Sequence, residues 1–359
     1  MELTIEKIKE ALSYVIEPDL KKDLIALDLV KNIKIEGQNI SFTVHINNPA
    51  MHSRKRMQEA CEHAIERDIG KGFKIEVNVE ALPPENKRAS ELRTVLPGVK
   101  YIIAVSSGKG GVGKSTVASN LAVALADMDF KVGLIDADIY GPSIPTMFDV
   151  ENEKPSLTEI NGKTYIKPIE SHGVKLLSIG FFADLSQAIV WRGPMATKAL
   201  NQMFTDSYWG ELDFMIIDLP PGTGDIHLSL IQLVPLTGAI IVSTPQKVAL
   251  ADAQKGSGMF LLPSVNVPIL GVVENMSWFT PAELPENKYF IFGKDGVKKL
   301  AEKLNTPLLG QIPLVQSICE AGDVGRPVVM QGTTPQALAF RELARNVINI
   351  IVKTNLEKS

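Results

Sequence analysis

The stretch Ser106-Ser107-Gly108-Lys109-Gly110-Gly111-Val112-Gly113-Lys114-Ser115-Thr116 decides how the rest of the chain is read. An apolar run, Tyr101–Val105, leads into it. Behind it Val117, Leu121 and Leu125 recur at i, i+4 and i+8, with Ala118, Ala122 and Ala126 in the next row. Strand, glycine loop and helix thus follow in the order that a phosphate cradle requires. Glycines let successive backbone N–H groups turn inward around an anion, and a helix starting near Lys114 adds its positive end. Lys114 is expected to reach the β- and γ-phosphates of ATP as a point charge, and the Ser115 hydroxyl to ligate Mg²⁺. Gly108, Lys109, Gly110, Gly111, Val112, Gly113, Lys114, Ser115 and Thr116 together form the expected nucleotide cradle.

Working outward, further short apolar runs alternate with helical stretches: Lys131–Ile135, Val174–Ile179, Phe214–Ile217, Ala239–Ser243, Ile269–Val273 and Leu308–Ile312. This pattern predicts an α/β fold with a mostly parallel sheet flanked by helices, whose ligands bind beyond the carboxyl ends of the strands. Two of the runs end in acid. Lys131–Ile135 meets Asp136-Ala137-Asp138, and Phe214–Ile217 meets Asp218 followed by Leu219-Pro220-Pro221-Gly222-Thr223-Gly224-Asp225. Metal-assisted phosphoryl transfer needs carboxylates to hold Mg²⁺ and orient water. An apolar run closing on Asp is the Walker B pattern, so Asp218 is the expected Mg²⁺ carboxylate. Taken alone, each Asp also reads as a turn residue or helix cap. Asn275, after Ile269–Val273, can read an adenine edge as donor and acceptor, or form a turn.

Before this lies a different composition. Residues 1–80 read as a small α+β domain: helical spacing over 4–16, β-like runs Lys31–Ile35 and Ile40–Ile46 about Gly37, a polar helix near 53–69, and a run Phe73–Val79. Residues 81–98, rich in Pro and charge, read as a linker to a P-loop NTPase domain at 99–359. The chain of 359 residues has 45% hydrophobic and 22% charged residues and a formal net charge of -4. That balance argues against a nucleic-acid partner. No apolar run reaches the ~18–20 residues of a membrane span, and the N-terminus reads as an amphipathic helix without a secretory pattern. The tail Leu343–Val352 carries too little positive charge for a membrane-surface helix and reads as core packing. The expectation is a cytoplasmic protein with its two cysteines, Cys61 and Cys319, reduced.

The string GKGGVGKST resembles the loop of the MinD/Mrp/nitrogenase-iron-protein class, in which a lysine placed as Lys109 is crosses a dimer interface to the partner's nucleotide. Through that resemblance Asp138 would position the attacking water, Asp136 would support it beside the metal, and Pro-Gly-Thr-Gly after Asp218 would sense the γ-phosphate. DADIYGPSIP at 136–145, WRGPM at 191–195, DLPPGTGD at 218–225, ENMSWF at 274–279 and IFG at 291–293 narrow the likeness. Residues 99–355 resemble the Mrp-type (ApbC-like) iron–sulfur cluster carrier ATPases, and EPDLKKDLIALDLVKNI at 17–33 resembles the iron–sulfur assembly domain often fused ahead of them. The resemblance implies a homodimer that hydrolyses ATP and passes clusters to apo iron–sulfur proteins or other assembly factors. It fails where cluster thiolates belong. Thr280-Pro281-Ala282-Glu283 stands in place of Cys-Pro-x-Cys, and Asn48-Pro49-Ala50-Met51 lacks the cysteine that relatives often carry. Cys61 reads as mid-helix and Cys319 as part of a connector. A cluster through Cys319 or Glu283, thiols from a partner, or loss of cluster binding all stay open. His45, His52, His63, His172 and His227 form no metal-binding spacing and read as surface or core histidines. The other class compatible with the loop is a MinD/ParA-type positioning ATPase on membrane or DNA.

Overall fold

The computed structural model describes residues 4–17, 22–46, 51–70, 72–81, 95–182, 193–281, 283–284 and 286–356. The chain divides into two compact units, Met1–Thr94 and Val95–Ser359, each taken here by itself. Most of the expected linker (82–94), the Asn48–Ala50 stretch, Trp191-Arg192 and Ala282 lie outside the described residues.

In the first unit, helix α1 (Ile5–Leu12) starts at Thr4, whose hydroxyl accepts from the Lys7 N–H, and buries Ile8, Ala11 and Leu12. It ends four residues short of the expected 16, because Ile16–Glu17 (β1) pairs antiparallel with Lys22–Asp23 (β2). Strands β3 (Val30–Glu36) and β4 (Asn39–Ile46) form a hairpin about Gly37, whose φ of +62° suits glycine. Helix α2 (Met51–Asp68) then carries the chain to β5 (Lys74–Ala81), parallel to β4. Alternation in β4 sends Ile40, Phe42, Val44 and Ile46 onto a core shared with Ile8, Leu12, Met57, Cys61 and Ile65. Burial, and then Glu62, push the Cys61 thiol up to about 12, so it is a core residue and no thiolate source.

The second unit is built on one eight-stranded sheet. Its strands are β6 (Val99–Ser106), β7 (Val132–Asp136), β10 (Ile169–Ser171), β11 (Val174–Ser178), β12 (Leu212–Asp218), β13 (Gly238–Ser243), β14 (Ile269–Glu274) and β15 (Leu308–Gln311). Their order is β10-β11-β7-β12-β6-β13-β14-β15, parallel throughout except for the edge strand β10. Between them run helices α3 (Lys114–Ala126), α4 (Ile144–Met147), α5 (Gly193–Thr205), α6 (Asp225–Leu233), α7 (Lys247–Phe260) and α8 (Gly296–Lys303), followed by α9 (Gln316–Asp323) and α10 (Pro335–Leu356).

The parallel strands are continuous apolar runs because helices cover both faces, as β12 (LDFMIID) and β13 (GAIIVS) illustrate. Helix α3 lies between the sheet and α10, and Val117, Leu121 and Leu125 are wholly buried. Each such side chain contributes about 1.5–3 kcal/mol. Leu343, Val347 and Ile351 of α10 are buried in the same core, which is the packing role expected for the tail. No helix among the described residues is long and apolar enough to cross a membrane. The sequence reading missed β10 and the antiparallel hairpin β8 (Ser156–Ile160) to β9 (Lys163–Lys167). Asn161-Gly162, with φ of +53° and +76°, is the turn signal that would have found the hairpin.

Candidate functional site

Strand register assembles the site. β12 lies between β6 and β7, with Asp218 paired to Asp136 on one side and to Val105 on the other. Both acids therefore end neighbouring strands, Asp218 one strand and Asp136 two strands away from the point where the glycine loop leaves β6. The expected runs stopped one residue short at each place, since Asp136 and Asp218 still belong to the ladder. Asp138 follows two residues on. Its N–H donates to Asp136 Oδ1 (3.2 Å), and its own Oδ1 accepts from the Tyr140 N–H (3.2 Å).

Lys114 opens α3 and points its ammonium into this acidic corner. Nζ lies 2.6 Å from Asp218 Oδ1 and 3.5 Å from Asp138 Oδ2, with the Ser115 hydroxyl at 3.4 Å. Lys114 is 6% exposed; Asp136 and Asp218 are fully buried. Burial alone would lower the Lys114 pKa, but Asp218 and Asp138 outweigh it and hold the ammonium above its usual range. Burial raises Asp218 despite its contact with Lys114. Burial, and then the charge on Asp218, push Asp136 up to about 7, against the opposing pull of the Ser178 hydroxyl and Lys114. The Ser115 hydroxyl faces Asp218, yet Asp218 Oδ2 has no hydrogen bond of proper geometry. Three carboxylates around one ammonium thus favour keeping a proton on Asp136.

Because the folded Asp136 binds its proton more tightly than the unfolded chain does, the stabilising contribution of its neutral form is complete below pH ~4 and lost by pH ~7. In nucleotide-free, metal-free protein, the stability of the parent relative to Asp136→Asn is therefore expected to fall between those values and level off above them. Thermal melts of both proteins across that range check it; a flat difference contradicts it.

The loop itself is shaped by close approaches. Gly113 has φ +78°, and a Cβ there would lie 2.2 Å from Asn275 Nδ2. It stands at the N-cap of α3 without a side-chain cap, so the first-turn N–H groups face outward as anion donors. At Gly108 a Cβ would fall 2.1 Å from the backbone of Asp252 in α7. Asn275 donates from Nδ2 to the Val112 carbonyl (2.8 Å) and so buttresses the loop, a bond the sequence did not foretell. Its residue also borders a cavity of about 600 Å³ with Thr116, Met276, Pro313, Leu314 and Cys319. That volume is ample for a nucleoside next to the phosphate loop. Cys319 belongs to helix α9 and is exposed, which corrects its reading as part of a connector: QSICEAGD continues in helical geometry with Ala321 packed inward. The Lys109 ammonium, half-buried, has no ion pair or hydrogen bond among the described residues.

Sequence reasoning missed several supporting groups. Ser178 donates to Asp136 Oδ2 (2.9 Å) and accepts from the Gly180 N–H (3.0 Å). Asn120 ties α3 to Val329 through a 2.9 Å bond. Glu274 is buried and accepts from Gln311 Nε2 (2.7 Å) and the Val297 N–H (3.0 Å), anchoring the start of α8 behind Asn275. For Ser178 and Glu274 the ends of β11 and β14 carried a partial signal: a polar residue at the close of an apolar run, on the ligand side of the sheet. His227 is a core histidine, but one set beside Ser106 at the base of the loop.

Comparison with known proteins agrees with this geometry. Residues 98–348 match the family described as NUBPL iron-transfer P-loop NTPase, and residues 5–79 match the family described as iron-sulfur cluster assembly protein. An iron-sulfur cluster carrier protein of Synechocystis is 43% identical, over 96% of this chain and 97% of that relative. Another, of Escherichia coli strain K12, is 48% identical over 92% of this chain and 88% of its own length. Among solved structures, a nucleotide-binding protein in complex with ADP from Archaeoglobus fulgidus is similar with a TM-score of 0.59 and 34% identity, covering 70% of this chain and 95% of that one. The cell division ATPase MinD of Pyrococcus furiosus is similar with a TM-score of 0.51 and 25% identity, covering 70% and 99%. With its glycine loop, paired strand-end aspartates and leading α+β unit all accounted for, the chain belongs to the family of NUBPL iron-transfer P-loop NTPases.

Proposed function

We propose that this chain hydrolyses ATP in the cytoplasm as a nucleotide-switched homodimer and uses the cycle to hand iron–sulfur clusters to apo-proteins. The observation that carries the ATPase half is Lys114 lying within 3.5 Å of both Asp218 and Asp138 at the mouth of the glycine loop. A triphosphate in the cradle would draw that ammonium toward its β- and γ-oxygens. The Asp138 carboxylate, released from Lys114, is then free to accept a proton from the attacking water. Lys109, without a partner for its ammonium among the described residues, reaches the nucleotide of a second copy.

The donor set suits Mg²⁺. Ser115 and Asp218 would hold it, with Asp136 behind them, and these are hard oxygen donors. No trio of His, Cys, Asp and Glu among the described residues has metal-site geometry, which fits an ion that takes one or two carboxylates and fills its shell with phosphate oxygens and water. Bound there, Mg²⁺ neutralises charge on the phosphates.

The cargo half rests on the names of the relatives, and the thiols constrain it. Cys61 is buried with its pKa raised, so Cys319 is the accessible cysteine, and two copies of the chain bring two accessible thiols where a cluster usually takes four. The remaining ligands come from the recipient or another assembly factor. The test is anaerobic loading of the full chain with iron and sulfide, followed by transfer to an apo-ferredoxin with and without ATP. Visible absorption that weakens in Cys319→Ala, and transfer that ATP accelerates, are expected. A featureless loaded chain that leaves transfer unchanged would sink the cargo reading.

A further inference from the structure

His227 is a buried titratable group that the scheme above leaves unused. It sits in the first turn of α6, directly after the loop 219–224 that follows Asp218, and is 1% exposed. Three parts of the site meet at its ring. Nε2 lies 3.5 Å from Ser106 Oγ, where β6 gives way to the glycine loop. The carbonyls of Pro220 and Gly222 face the ring, although Nδ1 makes no hydrogen bond of proper geometry. Phe260, the last residue of α7, meets the ring edge-on with centroids 5.9 Å apart. The same helix presses its Asp252 backbone against Gly108.

Burial, reinforced by the charge on Lys114, pushes the imidazole down to about 4, so the ring is neutral and carries one N–H and one lone pair. One tautomer suits these surroundings: Ser106 O–H donating to Nε2, and Nδ1–H directed at the loop carbonyls. A buried polar atom without a partner calls for an explanation. The loop supplies one: besides the Leu219 N–H on the Val105 carbonyl (3.1 Å), it is tied to the start of the glycine loop by a bond from the Gly222 N–H to the Ser107 carbonyl (3.0 Å), at a glycine with φ +90°. A γ-phosphate that drew this N–H away from Ser107 would turn the peptide and move its neighbouring carbonyls relative to the ring.

We propose that His227 is a positioning residue for hydrolysis: its Nδ1–H takes a carbonyl of the 220–222 segment when the loop closes on the γ-phosphate, and holds the loop in the closed register. The inference rests on the ATPase reading and deepens it. His227 acts through the loop, so it bears on ATP and its hydrolysis and leaves the grip on ADP unchanged.

The test compares His227→Leu, His227→Asn and His227→Gln in the full chain, with ADP affinity, melting temperature, kcat and KM for ATP as readouts. An Asn amide nitrogen falls near the Nδ1 position and a Gln amide nitrogen near Nε2. The Leu variant is expected to keep ADP affinity within about threefold and to melt no lower than the parent, while kcat falls at least about tenfold, a change of about 1.4 kcal/mol in the barrier. Asn should restore most of kcat and Gln should not. A Leu variant with parental kcat overturns the proposal. So does a parallel loss of kcat, ADP affinity and melting temperature that Asn fails to rescue, which is the mark of packing alone. If the Leu variant does not fold, hydrogen exchange in the parent decides: the amides of 222–224 must become more protected with a non-hydrolysable ATP analogue than with ADP, and equal protection overturns the proposal. A parent chain that never turns over ATP removes the ATPase reading and this inference together, whereas parental turnover with an indifferent Leu variant removes this inference alone.

Discussion

Lys114→Ala is expected to lower ATP turnover by about 10²–10⁴-fold, the equivalent of two charge-assisted bonds of ~1.5–3 kcal/mol each at about 1.4 kcal/mol per decade. The ammonium stands within reach of Asp218 and Asp138, so the substitution also strips the buried carboxylates of their cation. Removing one partner of a buried pair costs about 3–5 kcal/mol if the other stays charged. Asp136, raised to about 7, is already part-neutral near pH 7, and Asp218, which burial also raises, can follow by taking up a proton, which limits that loss. A phosphate-release assay measures the effect, with circular dichroism and a thermal melt to establish that the variant is folded. Folded protein turning over within threefold of the parent would remove Lys114 from the reaction.

Asp138→Ala should separate binding from chemistry. Asp138 is 8% exposed and makes local turn bonds with Asp136 and Tyr140; its carboxylate meets the glycine loop at the Lys114 ammonium, 3.5 Å away, which also has Asp218, and it does not line the 600 Å³ cavity. ATP and ADP affinities are therefore expected to stay within about threefold, while loss of the water-positioning carboxylate lowers kcat by about 10²–10⁴-fold, the usual contribution of a general base. With hydrolysis blocked, the proposed ATP-bound homodimer should accumulate, and sedimentation with ATP should show it. Adding Lys109→Ala to the same variant should return it to monomers, because the cross-chain contact is gone. Parent-like turnover in Asp138→Ala contradicts the water-positioning role, and a dimer that survives Lys109→Ala contradicts the role of that lysine.

How much of this was legible in the sequence follows from where the information lies. The P-loop is a local motif: strand, glycines and helix come in one stretch, so its residues and the start of α3 at Lys114 could be read directly. Asp136 and Asp218 could be read too, because an apolar run ending in acid marks a strand end at the ligand side of a parallel sheet. That they stand side by side could not, since it depends on β12 inserting between β6 and β7. Ser178, Glu274 and Asn120 hold Asp136, Gln311, Val297 and Val329, partners 23 to 209 residues away in sequence, a range that no local pattern encodes. His227 read only as a surface or core histidine, because it lies in no metal-binding spacing; its neighbours Ser106 and Phe260 come from other elements. Cys319 read as a connector because QSICEAG contains a glycine and a mix of polar residues, and the helix it forms is held by tertiary packing of Ala321.

The central claim is that the amides from Gly108 to Thr116, together with Lys114, grip a nucleoside triphosphate. Calorimetric titration of the purified full chain with Mg·ATP tests it most directly, with Mg·ADP as competitor and phosphate release followed in the same sample. The account expects saturable binding at one site per chain, displaced by ADP, weakened in Lys114→Ala and followed by phosphate release. Absence of binding heat and of released phosphate across the ranges of salt and magnesium tried would contradict it.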